Sequence, residues 1–438
     1  MALTVREYLE RGPATSRGIQ AATGLGQTAV SRQIRGMGNS VIRFRRDGEL
    51  RYALTRTAFG GDDKLPLGTV DAHGKTVLVA LVRPLAYGGF YIEPEPGMSR
   101  LLLGEDGTGL YDDLPYFLED LRPQGFIGRQ IASDLSSQGG GFPDDPGRWN
   151  SEHIGRYLIS NGEDLPGNFK FGQQALSRVR RPLITNEAAD YPVLADNVMK
   201  GDIAGSSAGG EHPKFTAYCG KRSSHVIVKF SPKGDDATAR RWRDVLLTEF
   251  HATEALHAEG FPATETKIIE LDGRIFLESQ RFDRSNEYGR RSMVSLLSID
   301  AEFVGNQTNW LPSMHGLLKE KLISWQHFFD AEYLYGFGRL INNTDMHLGN
   351  LSLGIAGDIF TLLPVYDMCS MGFAPKSGGE IPPYEFTPPN HQTLALEDKH
   401  VLGMKRMAHD FWERVANDER ISDELREFLS SGNPVDRM

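Results

Sequence analysis

The 438-residue sequence predicts an α+β chain built from several domains rather than one. Three observations carry that expectation. Residues 1–59 read as short helices followed by a hairpin, the middle of the chain reads as strands between Gly-, Pro- and Asp-rich turns, and residues 284–438 change to helical periodicity.

The first helix is expected from Thr4 and stops at Gly12 and Pro13. Thr15 or Ser16 caps a second helix through Ile19, Ala21 and Ala22, which ends at Gly24. Gln27 and Thr28 open a third, with Val30 and Ile34 four residues apart on one apolar face. Two strand-like runs then flank Asp47-Gly48, a strong short hairpin signal. Helix, turn, helix and hairpin make a winged helix-turn-helix. Its basic residues lie on the two elements such a module uses to read DNA. Ser31, Arg32, Gln33 and Arg35 are on the third helix, and Arg43, Arg45, Arg46 and Arg51 are on the hairpin. A winged helix that only dimerises would share these elements; the placement of the charges favours DNA.

Composition bounds the rest. A content of 39% hydrophobic and 24% charged residues is that of an ordinary globular protein, and the net charge of −10 argues against wholesale wrapping by nucleic acid while allowing a local basic patch. Cys219 and Cys369 lie far apart without metal-ligand spacing, so a reducing, cytoplasmic setting is expected. No apolar run is long enough for a membrane span, and the N-terminus has no signal-peptide core. Residues 60–165 are expected to form a small β-rich subdomain, 166–283 a β-rich lobe and 284–438 a helical lobe. In the last, Trp325, Phe328, Phe329, Tyr333, Leu334 and Phe337 give a core stripe.

Chemistry is concentrated in the two lobes. In Asn343-Thr344-Asp345-Met346-His347-Leu348-Gly349-Asn350, an Asp precedes an Asn with a His between them, the spacing of a protein-kinase catalytic loop. Phosphoryl transfer needs a base beside the attacking oxygen and a metal on the phosphate oxygens, held close together on one rigid loop. Asp345 is the candidate base, Asn350 a magnesium ligand, and Asp367, closing a hydrophobic run, the second magnesium ligand. Upstream, Lys229 sits in an apolar strand, where an ammonium is costly unless anions neutralise it. ATP phosphates and a helix Glu would do so. Glu249 is the candidate, its alternative being a solvated helix face. The run from Arg274 to Gln280 is a strand leading to the polar exit Arg281-Phe282-Asp283-Arg284, the position of an adenine-binding hinge. Between Ala204 and Lys214 lies a Gly/Ser run whose exposed amides suit phosphates, or which is a plain linker. The stretch from Gly378 to His391 is an activation segment or, equally, a linker.

Taken together, Ser206-Ser207-Ala208-Gly209-Gly210-Glu211, Pro213-Lys214, Lys229, Gln280 to Arg284, the Asp345 loop and Tyr366-Asp367-Met368 resemble the HipA-type serine/threonine kinases, toxins of bacterial toxin–antitoxin systems. The resemblance covers roughly residues 60–430 and follows family order. It is nearest to the YjjJ-type stand-alone members, which carry their own N-terminal DNA-binding segment. It implies a two-lobed protein-kinase-like fold using ATP and Mg2+. Ser206 or Ser207 would be autophosphorylated in the glycine-rich loop, with Ser207, Gly209 and Gly210 against the phosphates. Lys229 would contact the α/β-phosphates, with Glu249 paired to it. Gln280 and Phe282 would bind adenine through backbone groups, with Asp283 near the ribose. Asp345 would be the base, with His347 in the slot a Lys or His takes in related kinases, and Asn350 and Asp367 would hold magnesium. Gly349 and Gln280 depart from a well-known member, which has Lys and Glu there. The family also implies a protein substrate such as an aminoacyl-tRNA synthetase or another translation factor, and it allows a homodimer. A DNA-binding transcription regulator with an inactive or ATP-sensing kinase part is the alternative, and a small-molecule kinase is a third reading. The full set Lys229, Asp345, Asn350 and Asp367 speaks against a dead enzyme.

Overall fold

The computed structural model describes residues 3–177, 183–200, 212–376, 378–389 and 398–437. The chain divides into two compact units. One comprises Met1–Asp71, Lys75–Arg122 and Gly147–Arg180; the other comprises Ala72–Gly74, Pro123–Pro146 and Arg181–Met438. Among the described residues, no helix is long and apolar enough to cross a membrane.

The first unit opens with helix α1, Val5–Leu9, started by a capping box in which Thr4 and Glu7 bond each other's backbone amides. Strand β1, Ala14–Thr15, leads into α2, Ser16–Thr23, where the Thr15 hydroxyl accepts from the Gly18 amide at 3.1 Å and Gly24 ends the helix in the left-handed region. Helix α3 spans Gln27–Gly36. Its apolar Val30 and Ile34 enter one core with Val5, Leu9, Ala14, Ile19 and Leu54. Strands β2, Val41–Arg46, and β3, Glu49–Leu54, form a hairpin whose Asp47 and Gly48 both have positive φ, as a tight two-residue turn requires. β1 adds to its other edge, giving the order β1-β3-β2.

A second sheet follows in the same unit. Strands β4, Leu65–Val70, β5, Thr76–Pro84, β6, Phe90–Pro94, β7, Leu110–Tyr111, and β8, Phe169–Phe171, are ordered β7-β6-β5-β4-β8. The β-rich region thus runs past residue 165, where the sequence suggested a boundary. The alternating Phe169 and Phe171 bury against this sheet, and the strand pairs with β4. Ile42 and Phe44 of the hairpin pack with Leu85, Tyr91 and Leu110.

In the second unit, strands β9, Lys214–Cys219, β10, Ser224–Phe230, β11, Thr266–Leu271, and β12, Arg274–Gln280, form a four-stranded antiparallel sheet in the order β11-β12-β10-β9. Strand alternation decides which side chains face which way. Val226, Val228 and Phe230 pack with Phe215, Phe276 and the helix Tyr191–Met199, so Lys229 points to the opposite face. The long helix Ala237–Ala258 starts where the Asp236 carboxylate caps the Ala239 amide at 3.0 Å. Beyond residue 284 come the helices Leu296–Phe303, Trp310–Lys319, Trp325–Leu340, Asp398–Ala416 and Asp423–Ser430, with a hairpin of Ser352–Ala356 and Ile359–Leu362. Phe328, Leu334 and Phe337 lie in the core as the stripe requires. Trp325 does not: it is the first residue of its helix, is 67% exposed, and rests on the Phe328 ring at 5.5 Å.

Arg83 on β5 ties its sheet to the turn before β2 and the loop before β4. Its buried guanidinium donates to the Asp63 carbonyl at 2.8 Å, the Asn39 carbonyl at 3.0 Å and the Glu93 carboxylate at 3.0 Å. Arg83→Met leaves those acceptors unsatisfied and should cost about 2–4 kcal/mol in a urea titration. Arg46→Ala, which breaks an exposed pair with Asp106, should stay within about 0.5 kcal/mol.

Candidate active site

The site is organised around the buried ammonium of Lys229. Its Nζ donates to both Glu249 carboxylate oxygens at 2.6 Å and to Asp367 Oδ1 at 2.8 Å. Glu249 lies on the long helix and is itself buried, not on a solvated face. Burial opposes the charge on Lys229, but Asp367 and Glu249 more than offset it and raise its pKa well above the ordinary lysine value. Burial likewise works against Asp367 as an anion, yet Lys229 and Lys214 hold its carboxyl at about 2. Burial pushes Glu249 upward, with Lys229 opposing. Asp367 has a φ of 55°, a left-handed conformation costly for a residue with a Cβ, and such strain is tolerated where surrounding contacts fix it.

The Asp345 loop follows the helix Trp325–Leu340. Asn343 Oδ1 accepts from the Asp345 amide at 3.0 Å. The Asn350 side-chain amide donates to the Asp345 carbonyl at 2.6 Å and to its carboxylate at 3.3 Å. The Asp345 carboxylate is about half exposed, 49%, and His347 Nε2 lies 3.8 Å from it. His347 Nδ1 accepts from the Gly349 amide at 3.0 Å, while the Trp310 indole donates to the His347 carbonyl at 2.9 Å. A Cβ at Gly349 would come within 2.8 Å of the His347 ring, so a larger residue there would require the imidazole to shift. The Tyr366 hydroxyl donates to the Gly349 carbonyl at 3.1 Å, so the residue before Asp367 braces the loop. An Asn amide oxygen and a carboxylate form the hard oxygen donor set that magnesium takes, so Asn350 and Asp367 fit that ion.

Phe282 lies against Tyr366, ring centroids 5.6 Å apart, and the Gln280 amide donates to the Glu265 carbonyl at 2.8 Å. Asp283 differs from expectation. Its carboxylate is buried and held by Arg281 at 3.0 and 2.8 Å and by Arg284, so it braces the strand exit instead of being presented to a ribose. Ser206, Ser207, Gly209 and Gly210 lie outside the described residues. Motif spacing did not single out Lys214 and His212 as site residues. Lys214 is the cross-strand partner of Lys229, buried to 3% exposure. His212 bonds the Phe230 carbonyl at 2.9 Å and lies 4.2 Å from the Trp242 ring. Burial, then Lys229 and Lys214, bring its pKa down to about 3.

On α3, Arg32, Gln33 and Arg35 are exposed and Ser31 is half-buried; among the described residues no carboxylate pairs with Arg32 or Arg35. On the hairpin, Arg43 lies over Tyr52 and Arg45 donates to the Gly48 carbonyl at 3.1 Å. Arg51 faces Asp47 and Glu49 at 3.7 and 3.9 Å.

Removing the central cation tests how much the site depends on it. Lys229→Met leaves Glu249 buried without a counter-charge and should destabilise the protein by about 3–5 kcal/mol. Adding Glu249→Gln should restore part of that loss, read by chemical denaturation of both variants.

Family models match two parts of the chain: the YjjJ-like toxin middle domain over residues 61–180, and the HipA-like C-terminal domain over residues 206–430. The chain is 34% identical to the toxin YjjJ of Escherichia coli strain K12, covering 96% of this chain and 94% of that protein. The HipA of Shewanella oneidensis MR-1, solved with HipB and its operator DNA, matches with a TM-score of 0.55 at 16% identity, over 84% of this chain and 94% of that one. That likeness shows a shared fold, and the sequence match shows descent: the chain belongs to the HipA-like family, among its YjjJ-like toxins.

Proposed function

We propose that the chain is an ATP- and magnesium-dependent serine/threonine protein kinase joined to a winged helix-turn-helix that binds DNA. The division into residues 1–59, 60–165, 166–283 and 284–438 is kept as the working domain plan, with the end of the β-rich part moved beyond β8. The observation that carries the kinase reading is the buried Lys229–Glu249–Asp367 set together with the Asp345–Asn350 loop. Lys229 takes the nucleotide α/β-phosphates, replacing part of its bond to Asp367. Gln280 and Phe282 offer backbone groups to adenine. Asn350 and Asp367 would hold magnesium, which would supply charge neutralisation at the phosphate oxygens. Asp345, half exposed and carboxylate-bearing, accepts the proton of an incoming serine or threonine hydroxyl. His347 stands beside it and orients the loop through Gly349. The family implies that Ser206 or Ser207 is autophosphorylated and that the added charge, close to two negative units, competes with the nucleotide for Lys229. It implies a translation-factor substrate such as an aminoacyl-tRNA synthetase, and growth inhibition as the outcome.

Purified protein incubated with labelled ATP and magnesium should take up phosphate, mapped by mass spectrometry to Ser206 or Ser207. Asp345→Ala should slow this by at least ~100-fold with folding intact, the usual contribution of a positioned base. Nucleotide binding without any transfer would favour the regulator reading, in which the kinase part only senses ATP.

The DNA reading rests on the exposed Arg32, Gln33 and Arg35 of α3 beside Arg43 and Arg45 of the hairpin. The HipA neighbour solved with an antitoxin and operator DNA supports it by kinship. Affinity for duplex DNA should fall steeply as salt rises, because bound phosphates release counterions. Arg32→Ala should relax sequence preference, and Arg45→Ala should weaken all sequences alike. A folded protein without affinity for genomic fragments at low salt would defeat this part.

A further inference from the structure

The chain that follows Asp367 is fastened along one side of the long helix. Arg241, Asp244 and Thr248 recur at three- and four-residue intervals and share a face, with Glu249 adjoining it. Each of them meets the later segment. Glu249 shares the Lys229 ammonium with Asp367. The Thr248 hydroxyl accepts from the Ser370 amide at 3.1 Å. Arg241 donates to the carbonyls of Phe373, at 3.0 Å, and Pro382, at 2.5 Å, and its guanidinium carbon lies 3.7 Å from the Tyr384 ring centroid. The Tyr384 hydroxyl donates to Asp244 Oδ2 at 2.5 Å. Asp244 also accepts from the Ser422 amide at 2.8 Å and its hydroxyl at 2.5 Å, which joins the cap of the helix Asp423–Ser430 to the same carboxylate.

These contacts are not those of a solvated linker. Arg241 is 8% exposed and Asp244 2%, and buried charges persist only where partners satisfy them. Burial and the Asp244 carboxylate push the Tyr384 hydroxyl well above the ordinary tyrosine range, so it stays a donor. The Phe373 and Tyr384 rings meet at 4.9 Å, and both lie against Phe428. The described part of the stretch rich in Pro and Gly, residues 378–389, is therefore a strap. Arg241 holds Pro382 within it and Phe373 ahead of it, and Tyr384 closes on Asp244.

We propose that Arg241, Asp244 and Tyr384 are positioning residues that lock this strap onto the long helix and thereby hold Glu249 and Asp367 on Lys229. The Tyr384 hydroxyl is the side-chain bond by which the strap closes on Asp244. The strap's helix contacts adjoin Glu249, next in sequence to Thr248, so its release is expected to reach that carboxylate. The turnover consequence rests on the kinase reading; the mechanical coupling does not.

Tyr384→Phe in the full chain removes only the hydroxyl. Autophosphorylation should then show a kcat reduced about tenfold with the KM for ATP moved less than about twofold, the pattern of disturbed positioning rather than lost binding. In a Glu249→Gln background the same substitution should add less than about twofold, because the group it acts through is already gone. Hydrogen exchange gives a readout that needs no turnover. Amides of residues 248–252 should exchange at least ~5-fold faster in Tyr384→Phe than in the wild type, while the helix Trp325–Leu340 is unchanged. Equal tenfold losses in both backgrounds, no loss in either, or unchanged exchange at 248–252 would overturn the lock. Wild-type protein that transfers no phosphate defeats the kinase reading instead, and exchange alone then decides the strap. Arg241→Lys, which keeps the charge but not the double carbonyl contact, serves in the same assays if Tyr384→Phe fails to fold.

Discussion

A lysine ammonium buried near the end of a strand is the constraint on which the second unit depends. Removing such a charge from water is costly, and only close anions make it tolerable. Here they come from 20 and 138 residues further along the chain, as Glu249 and Asp367. Satisfying one cation therefore fixes the long helix against the sheet and draws the segment after the Asp345 loop to the same point. The assembly is polarised: Asp367 is held strongly anionic, while burial works on Glu249 in the opposite direction. With Lys214 paired across the strands from Lys229, two ammoniums face two carboxylates. Like charges opposite each other in a ladder are unfavourable unless anions offset them, and here Glu249 and Asp367 do so.

Two further groups of arginines and carboxylates brace this centre from different sides. Arg281 and Arg284 consume the Asp283 carboxylate at the exit of β12. Arg241 ties down backbone carbonyls ahead of the strap and within it. In both places the planar guanidinium is used for its several fixed donors, which a lysine would not supply. At this centre, lysines meet carboxylates as point charges, while arginines hold backbone carbonyls and carboxylates through several donors at once.

What the sequence made legible follows from how local the cause is. The Asp47-Gly48 hairpin, the caps at Thr4 and Thr15, the apolar pair Val30 and Ile34, and the lone lysine of β10 are each set by a few neighbouring residues, and they could be read from spacing. The Asp345 to Asn350 interval is also local, and its hydrogen bonds close within the loop. The misjudged positions depend on neighbours that are distant, or on a competition that spacing does not weigh. Asp283 is flanked by arginines in sequence, a signal for ion pairing that the hinge reading passed over. Trp325 fits the helical period but sits on the first turn, where period alone does not guarantee cover. β8 is a short strand whose partner lies about a hundred residues earlier, beyond any local pattern. The strap read equally well as a linker, because prolines and glycines report the shape of a segment and not what holds it.

The N-terminal charges obey the same economy on a smaller scale. The chain is acidic overall, and several hairpin arginines are met locally, Arg51 by Asp47 and Glu49 and Arg46 by Asp106. Such exposed pairs contribute little stability and are easily exchanged for phosphates. Arg32 and Arg35 stand on the outer face of a helix whose inner face, Val30 and Ile34, is fully committed to the core. The proposed DNA contact would therefore use a helix already fixed by its apolar side and cationic on the other. On the proposed DNA reading, the hairpin arginines, partly screened by carboxylates, would adjust the fit along a backbone and Arg32 and Arg35, unpaired among the described residues, would select, a division that follows from which charges the fold has already neutralised.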